Sequence, residues 1–598
     1  MSEYVAPLKD MQFVLDELVD MDSIRQLPEC EEISTDLVEA ILDEAGKFAS
    51  GVLSPLNIVG DKEGVRWQPE GVTTATGWQD AYNQFVAGGW NAISCEPEYG
   101  GQGVPRVIST LVEEMWNSAN VSFTLCPMLT RGAIESIELR GSDALKQAYL
   151  PKLISGEWTG TMNLTEPQAG SDLAAIRSRA VPKADGSYSV HGQKIFITYG
   201  EHDLAENIIH LVLARTPEAP EGVKGISLFV VPKFLVKADG SLGARNDVHC
   251  VSVEHKLGIH ASPTCVMAFG DSEGATGYLV GEENRGIEYM FIMMNAARFS
   301  VGLEGVGLAE RAYQRATAYA RDRVQCPEAG VKGSGKVAII RHPDVRRMLM
   351  LMKSQTEAMR ALACVVGSAI DHAQRAPDST IREQNQAFVD LMIPIVKGWS
   401  TENAINIASL GVQVHGGMGF IEETGAAQYL RDARITSIYE GTTGIQANDL
   451  IGRKIAREGG KTIGLVITRM REVLQQLQQS TAEPLAAIAK ALAAAIEALE
   501  RAVAFIVASY GKDVRAALVG AVPFLQLFGT VSGGWLLAQG ALAAQRKLEA
   551  GSDDQAFLQA KIVTARFYAD HVLSQAPGLA YTVVEGAAGA LAIEDEQL

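Results

Sequence analysis

The sequence predicts an α+β chain in which a short β-rich stretch lies between two helical blocks and a helical tail follows. Three observations lead there. The segments 188–198, 207–214 and 225–231 are short, rich in β-branched residues, and separated by Gly, Pro and Asp. On both sides of them the apolar pattern returns to steps of three and four. Beyond about residue 460 a further helical stretch carries Leu485, Ile488, Leu492, Ile496, Leu499, Val503 and Ile506 on one face, with Glu497 and Glu500 off that stripe.

Taken in order, the chain reads as helical to about Leu153, interrupted by turn clusters such as 96–103. A small antiparallel, barrel-like β domain follows. After 283–286 a long helix is expected over 298–323, then a Gly-containing excursion over 326–336. Pro343 suits the first turn of a helix over 343–359, and helix over 394–411 and after Gly444 completes a bundle. The expected boundaries are 1–158 for the N-terminal helical domain, 159–284 for the β domain, 285–458 for the bundle and 459–598 for the tail. Pro484 opens one tail helix, and 551–554 separates two others.

A length of 598 residues allows about four structural units. The 71 acidic residues against 52 basic ones give a net charge of −19, which argues against a nucleic-acid partner. A local basic pocket for one phosphorylated small molecule remains allowed. Seven scattered cysteines without Cys-x-x-Cys or zinc-like spacing favour free thiols, no metal and a reducing compartment. The N-terminus has neither a basic start nor an apolar core, so the cytoplasm is the expected location. No charge occurs over 516–545, long enough to cross a bilayer, but Pro523, Gln526, Gln539 and the breaker-like run 529–534 favour two buried helices.

Three segments could carry chemistry. Residues 162–172, Met-Asn-Leu-Thr-Glu-Pro-Gln-Ala-Gly-Ser-Asp, combine small and hydroxyl residues that leave backbone N–H groups for a ligand oxygen, though a surface turn has the same composition. In 413–419, Gln-Val-His-Gly-Gly-Met-Gly, the glycines let backbone approach a phosphate. They would equally stop a helix, and their spacing is not that of a dinucleotide fold. In 431–446, Glu440 is a carboxylate between Tyr439 and Gly441 after an apolar approach. Partial desolvation would make it a stronger base toward a weakly acidic C–H, while a helix-start acid is the ordinary alternative.

Together with Gly192-Gln-Lys-Ile-Phe-Ile-Thr198 and the Arg298 helix, these stretches resemble the acyl-CoA dehydrogenase family over roughly three-quarters of the chain. The tail resembles its large subgroup. The resemblance implies FAD as cofactor and conversion of an acyl-CoA to the trans-2-enoyl-CoA. Glu440 then takes the α-proton, and its backbone N–H helps to hold the thioester oxygen. Some relatives carry the base just before the arginine, but here that position is Ala297.

By the same resemblance Thr165, Ser171, Phe196, Ile197 and Thr198 approach the flavin. Phe196 stands where many relatives have Trp. Ser171, Arg298 and Gly441 serve the acyl-CoA. Arg323 and Gln325 form an arm toward the FAD diphosphate, and Gln413, Gly416 and Gly417 a glycine loop on the adenosine side, both across a subunit boundary. Thr442 and Gly444 follow the base toward FAD. A homodimer and an electron-transfer flavoprotein as partner are implied, with the tail covering surface and membrane attachment less favoured. The competing readings are an oxidase using oxygen and a catalytically silent acyl-CoA-binding protein on the same scaffold.

Overall fold

The computed structural model describes residues 3–598. The chain divides into two compact units, one comprising Met1–Lys47, Pro105–Ser118 and Val301–Leu598, the other Phe48–Val104 and Ala119–Ser300.

The second unit is built around an eight-stranded sheet in which Val248–Val253, Thr264–Phe269, Tyr188–Thr198, Ala275–Leu279, Ser227–Pro232, Asn207–Ala214 and Trp158–Asn163 lie in that order, with Arg179–Pro182 beside Tyr188–Thr198. The sheet is not wholly antiparallel. Trp158–Asn163 runs parallel to Asn207–Ala214, from Trp158 opposite Asn207 to Asn163 opposite Val212. Parallel neighbours need a crossover, and the intervening Tyr188–Thr198 strand supplies it. Asn207–Ala214 and Ser227–Pro232 are buried along their whole length, as expected for central strands. A small hairpin, Arg66–Gln68 with Gly71–Thr73, interrupts the stretch read as helical. Its strands of three residues are too short to show a period of two.

The first unit is helical. Its framework includes Pro343–Arg375, Ser379–His415, Ala521–Glu549 and Gln555–His571, together with the part of Gly286–Asp322 beyond Ser300. Ser379–His415 begins fifteen residues before the expected Pro394 and passes straight through it. The start is set instead by Asp378, whose carboxylate accepts from Thr380 N at 2.7 Å. Likewise Ala521–Glu549 is one helix through the run 529–534, with the short Val514–Val519 helix before it. The small residues there are packing sites rather than breaks. A Cβ at Gly529 would lie 2.2 Å from Trp399 Cγ, and one at Gly534 2.8 Å from Leu573 Cδ1. This helix is long and apolar enough to cross a membrane, yet 83% of its apolar window is buried inside the protein.

A buried ionic cluster ties the ends of the chain into this unit. Arg360 donates to Asp10 at 2.6 Å, to Glu310 at 2.7 Å and to Glu114 at 2.5 Å. Lys561 donates to Asp10 at 2.5 Å and to Glu357 at 2.7 Å. Although burial alone would raise it, Asp10 is held well below the usual carboxylate range by Lys561 and Arg360. Burial outweighs Arg360 at Glu114, which is pushed up to about 7.

Candidate active site

In the first unit the site is a six-residue connection between the helices Ala426–Thr436 and Thr443–Asp449. Tyr439 N closes back onto Ile435 O at 3.1 Å, ending the first helix. Thr442 caps the next, its hydroxyl accepting from Ile445 N at 3.3 Å. Glu440 therefore lies ahead of a helix rather than in its first turn. It adopts φ +53°, followed by Gly441 at +89°. A non-glycine residue there costs about 1–3 kcal/mol and persists only where its surroundings impose it.

The surroundings do impose it. Lys397, fully buried, donates from Nζ to Gly441 O at 2.7 Å. Gln446 Nε2 donates to Glu440 O at 3.1 Å. A Cβ at 441 would come within 2.7 Å of Gln446 Nε2 and so push away the amide that holds Glu440 O. Below the loop, Tyr439 Oη donates to Glu304 Oε2. Burial pushes Glu304 up to about 8, with the Tyr439 bond and Lys397 pulling down and Glu440 adding to the rise. Burial, then Glu304, raises the Tyr439 phenol well above its ordinary value.

Elsewhere in this unit, Ser379–His415 ends at Gly416, φ +62°, and a Cβ at Gly416 or Gly417 would meet nothing within 4 Å. His415 stacks on Tyr319 at 4.4 Å between ring centroids, bringing the end of Gly286–Asp322 beside this turn. The expected excursion after that helix is a hairpin, Val324–Pro327 with Lys336–Ala338. Arg323 and Gln325 are fastened through their carbonyls, by Ile339 N at 2.8 Å and His342 Nε2 at 2.8 Å, and their side chains are exposed. Gln413 and Thr442 are exposed, Gly444 half-buried.

In the second unit, Ile195 N donates to Thr165 O at 2.9 Å, joining residues 162–172 to the Tyr188–Thr198 strand. Two residues that the sequence reading passed over make this joint rigid. Lys194, fully buried, donates to Glu166 at 2.9 Å and to Leu164 O at 3.0 Å. Glu166 also accepts from Arg177 N at 2.7 Å and Ser178 Oγ at 2.6 Å. Burial alone would raise Glu166, but Lys194 and these donors hold it down at about 2.

Opposite this joint, the pairing with Thr264–Phe269 slips between Cys265 and Met267, so that Phe196 occupies a β-bulge at φ +59°. The bulge turns its ring outward, 57% exposed, while Ile197 is buried in the core and Thr198 is half-buried beside Thr264. Ile197 thus offers a ligand its backbone, not the side chain. Ser171 is exposed. Arg298 is 4% exposed, with its guanidinium carbon 5.8 Å from the Phe291 ring centre.

The N-terminal, middle and C-terminal domain families of the acyl-CoA dehydrogenases match residues 35–157, 161–272 and 284–455, and the acetyl-CoA dehydrogenase C-terminal-like family matches 466–594. The chain is 51% identical over 573 residues to the 3-methylmercaptopropionyl-CoA dehydrogenase of Ruegeria pomeroyi, covering 95% of this chain and 96% of that one. The chain belongs to the acyl-CoA dehydrogenase family. It is an acyl-CoA dehydrogenase, an oxidoreductase, with the extra C-terminal domain of its large members.

Solved structures agree on the fold. Caenorhabditis elegans ACDH-11 in complex with C11-CoA superposes with TM-score 0.75 at 22% identity, covering 98% of this chain and 96% of that one. The Bacillus anthracis acyl-CoA dehydrogenase complexed with FAD gives 0.74 at 21%, covering 96% and 92%.

Acyl-CoA dehydrogenases carry FAD, and the residues here fit that group. The outward Phe196 ring offers an aromatic face for a flavin, with the Thr165 and Thr198 hydroxyls on adjoining segments. The open Gly416–Gly417 turn and the exposed Arg323 and Gln325 offer close backbone approach, charge and polar donors suited to a diphosphate and a nucleoside.

Proposed function

We propose that the chain dehydrogenates a short acyl-CoA thioester, 3-methylmercaptopropionyl-CoA foremost, and that Glu440 is its base. The observation that carries the base is the left-handed Glu440 backbone, fastened through its own carbonyl by Gln446 and through the next by Lys397. Strain maintained by two dedicated donors at a carboxylate is what a pre-positioned base requires. The choice of substrate is supported by 51% identity to a relative of that name along nearly the whole of both chains.

Glu440 takes the α-proton, the β-hydrogen leaves as hydride, and the Cα–Cβ single bond becomes double. FAD, when bound, supplies the hydride acceptor. The chain's own residues orient and polarise. Phe196, Thr165 and Thr198, with the Ile197 backbone and Ser171, would hold the ring. Thr442 and Gly444 of the base loop would also contact FAD. Arg323, Gln325, Gln413, Gly416 and Gly417 would hold the diphosphate and adenosine side. The Glu440 N–H holds the thioester oxygen as charge develops on it, with Gly441, Arg298 and Ser171 on the acyl-CoA.

The electrons pass to an electron-transfer flavoprotein. The working form is a homodimer, supported by exposed Phe420, Met418 and Ile421 beside the glycine turn, apolar groups that a second copy would cover. Seven free cysteines support the cytoplasm.

Anaerobic mixing of the purified protein with a panel of acyl-CoAs, from short and sulfur-containing to long-chain, tests this reading. Fast flavin bleaching with 3-methylmercaptopropionyl-CoA, yielding the 2-enoyl-CoA, is expected. Absence of bleaching with every member would overturn the activity, and preference for long chains would overturn the substrate.

A further inference from the structure

Glu304 occupies a costly position. It is 1% exposed, its Oε2 accepts from Tyr439 Oη, and its Oε1 is buried with no partner among the described residues. A leucine or methionine would fill the same space without leaving a carboxyl half satisfied. Glycines flank it where Gly286–Asp322 crosses Ser379–His415. A Cβ at Gly302 would lie 2.6 Å from Val396 Cγ1, and one at Gly305 2.9 Å from the Ser400 carbonyl carbon. The two helices lie backbone against backbone there, with Glu304 wedged under the loop.

The groups that bear on Glu304 are Lys397 from Ser379–His415 and Tyr439 and Glu440 from the loop. Lys397 holds the residue after the base, and Glu304 holds the side chain of the residue before it. Burial keeps Glu304 largely protonated near neutrality, so it grips Tyr439 without setting a second negative charge against Glu440.

We propose that Glu304 is a positioning residue for the base: acting through Tyr439, it fixes the left-handed backbone of Glu440 and so sets where that carboxylate meets the α-carbon of the thioester. The proposal rests on the reading of Glu440 as the base.

The experiment compares wild type, E304L, E304Q, Y439F and E304L/Y439F, all FAD-loaded, with 3-methylmercaptopropionyl-CoA. Four quantities are read: the rate of anaerobic flavin bleaching at saturation, kcat against KM, bound FAD per chain, and melting temperature. E304L and Y439F are expected to lose about tenfold or more in bleaching rate and kcat, since small misplacements of a reacting group cost that much. Their KM and FAD content should stay within about threefold of wild type. E304Q, which still accepts from Tyr439, should recover most of the rate, and the double variant should be no slower than E304L.

Wild-type kcat in E304L and Y439F would overturn the proposal. So would a rate loss matched by equal losses of FAD or substrate binding, or an E304Q as slow as E304L. Should E440Q bleach as fast as wild type, the assignment of the base fails and this proposal with it, an outcome distinct from an insensitive Glu304.

Discussion

Lys397 donates a 2.7 Å hydrogen bond to the carbonyl of Gly441, one residue after the proposed base. The lysine lies on the long helix Ser379–His415 and is fully buried. Its side chain reaches the loop and helps to hold the left-handed backbone of Glu440 and Gly441 in place.

Replacing Lys397 with Met removes the donor while keeping the apolar stem. That leaves the Gly441 carbonyl only the longer 3.4 Å bond from Gln446 Nε2, at a cost of about 1–3 kcal/mol, enough to let the loop relax. We expect kcat to fall about tenfold or more with FAD retained. Steady-state kinetics beside flavin content checks this, and an unchanged kcat would refute the role given to Lys397.

Arg360 bridges Asp10, Glu114 and Glu310 at once. Arg360→Met strands Glu114 and Glu310 in the interior, at a cost of about 3–5 kcal/mol, while Asp10 keeps Lys561. The deficit should shrink as pH falls from 8 to 6, because burial already pushes Glu114 up to about 7 and loss of Arg360 makes it bind a proton more readily still. Urea midpoints of both proteins at the two pH values measure it, and a deficit independent of pH would contradict the account.

Glu166 is held at about 2 in the folded chain, below its ordinary 4.5. The stability gained from its ionised form is fully present above pH 4.5 and is lost as pH falls toward 2. The gap in urea midpoint between wild type and E166Q should therefore narrow as pH falls from about 4.5 toward 2. A gap that widened over that range would have the wrong sign.

Gly529 packs against Trp399, where a Cβ would sit 2.2 Å from Cγ. Gly529→Ala should destabilise the chain by about 1–3 kcal/mol through overpacking, although alanine favours helix. Calorimetry decides: a stabilised variant would mean that the glycine breaks the helix instead.

What the sequence revealed, and what it concealed, follows from the range of the forces involved. The tail stripe from Leu485 through Ile506 is buried, with Val503 half-buried, because a period of 3.6 is written locally. The motif residues Phe196 and Glu440 were also legible, yet their positive φ was not, since a bulge and two distant donors impose it. Pro394 and the run 529–534 read as boundaries because local propensity ignores the neighbours that override it. Glu304 and Lys397 are single charges in apolar helical runs, a faint signal that acquires meaning only when the fold brings Tyr439 and Gly441 to them.

The claim on which the rest depends is that the Glu440 carboxylate removes the α-proton. The most direct measurement is the single-turnover rate of anaerobic flavin reduction by 3-methylmercaptopropionyl-CoA in Glu440→Gln against wild type, at matched FAD content. The account predicts a folded, yellow variant whose reduction is slower by about 10³-fold or more. Reduction at the wild-type rate would place the base elsewhere.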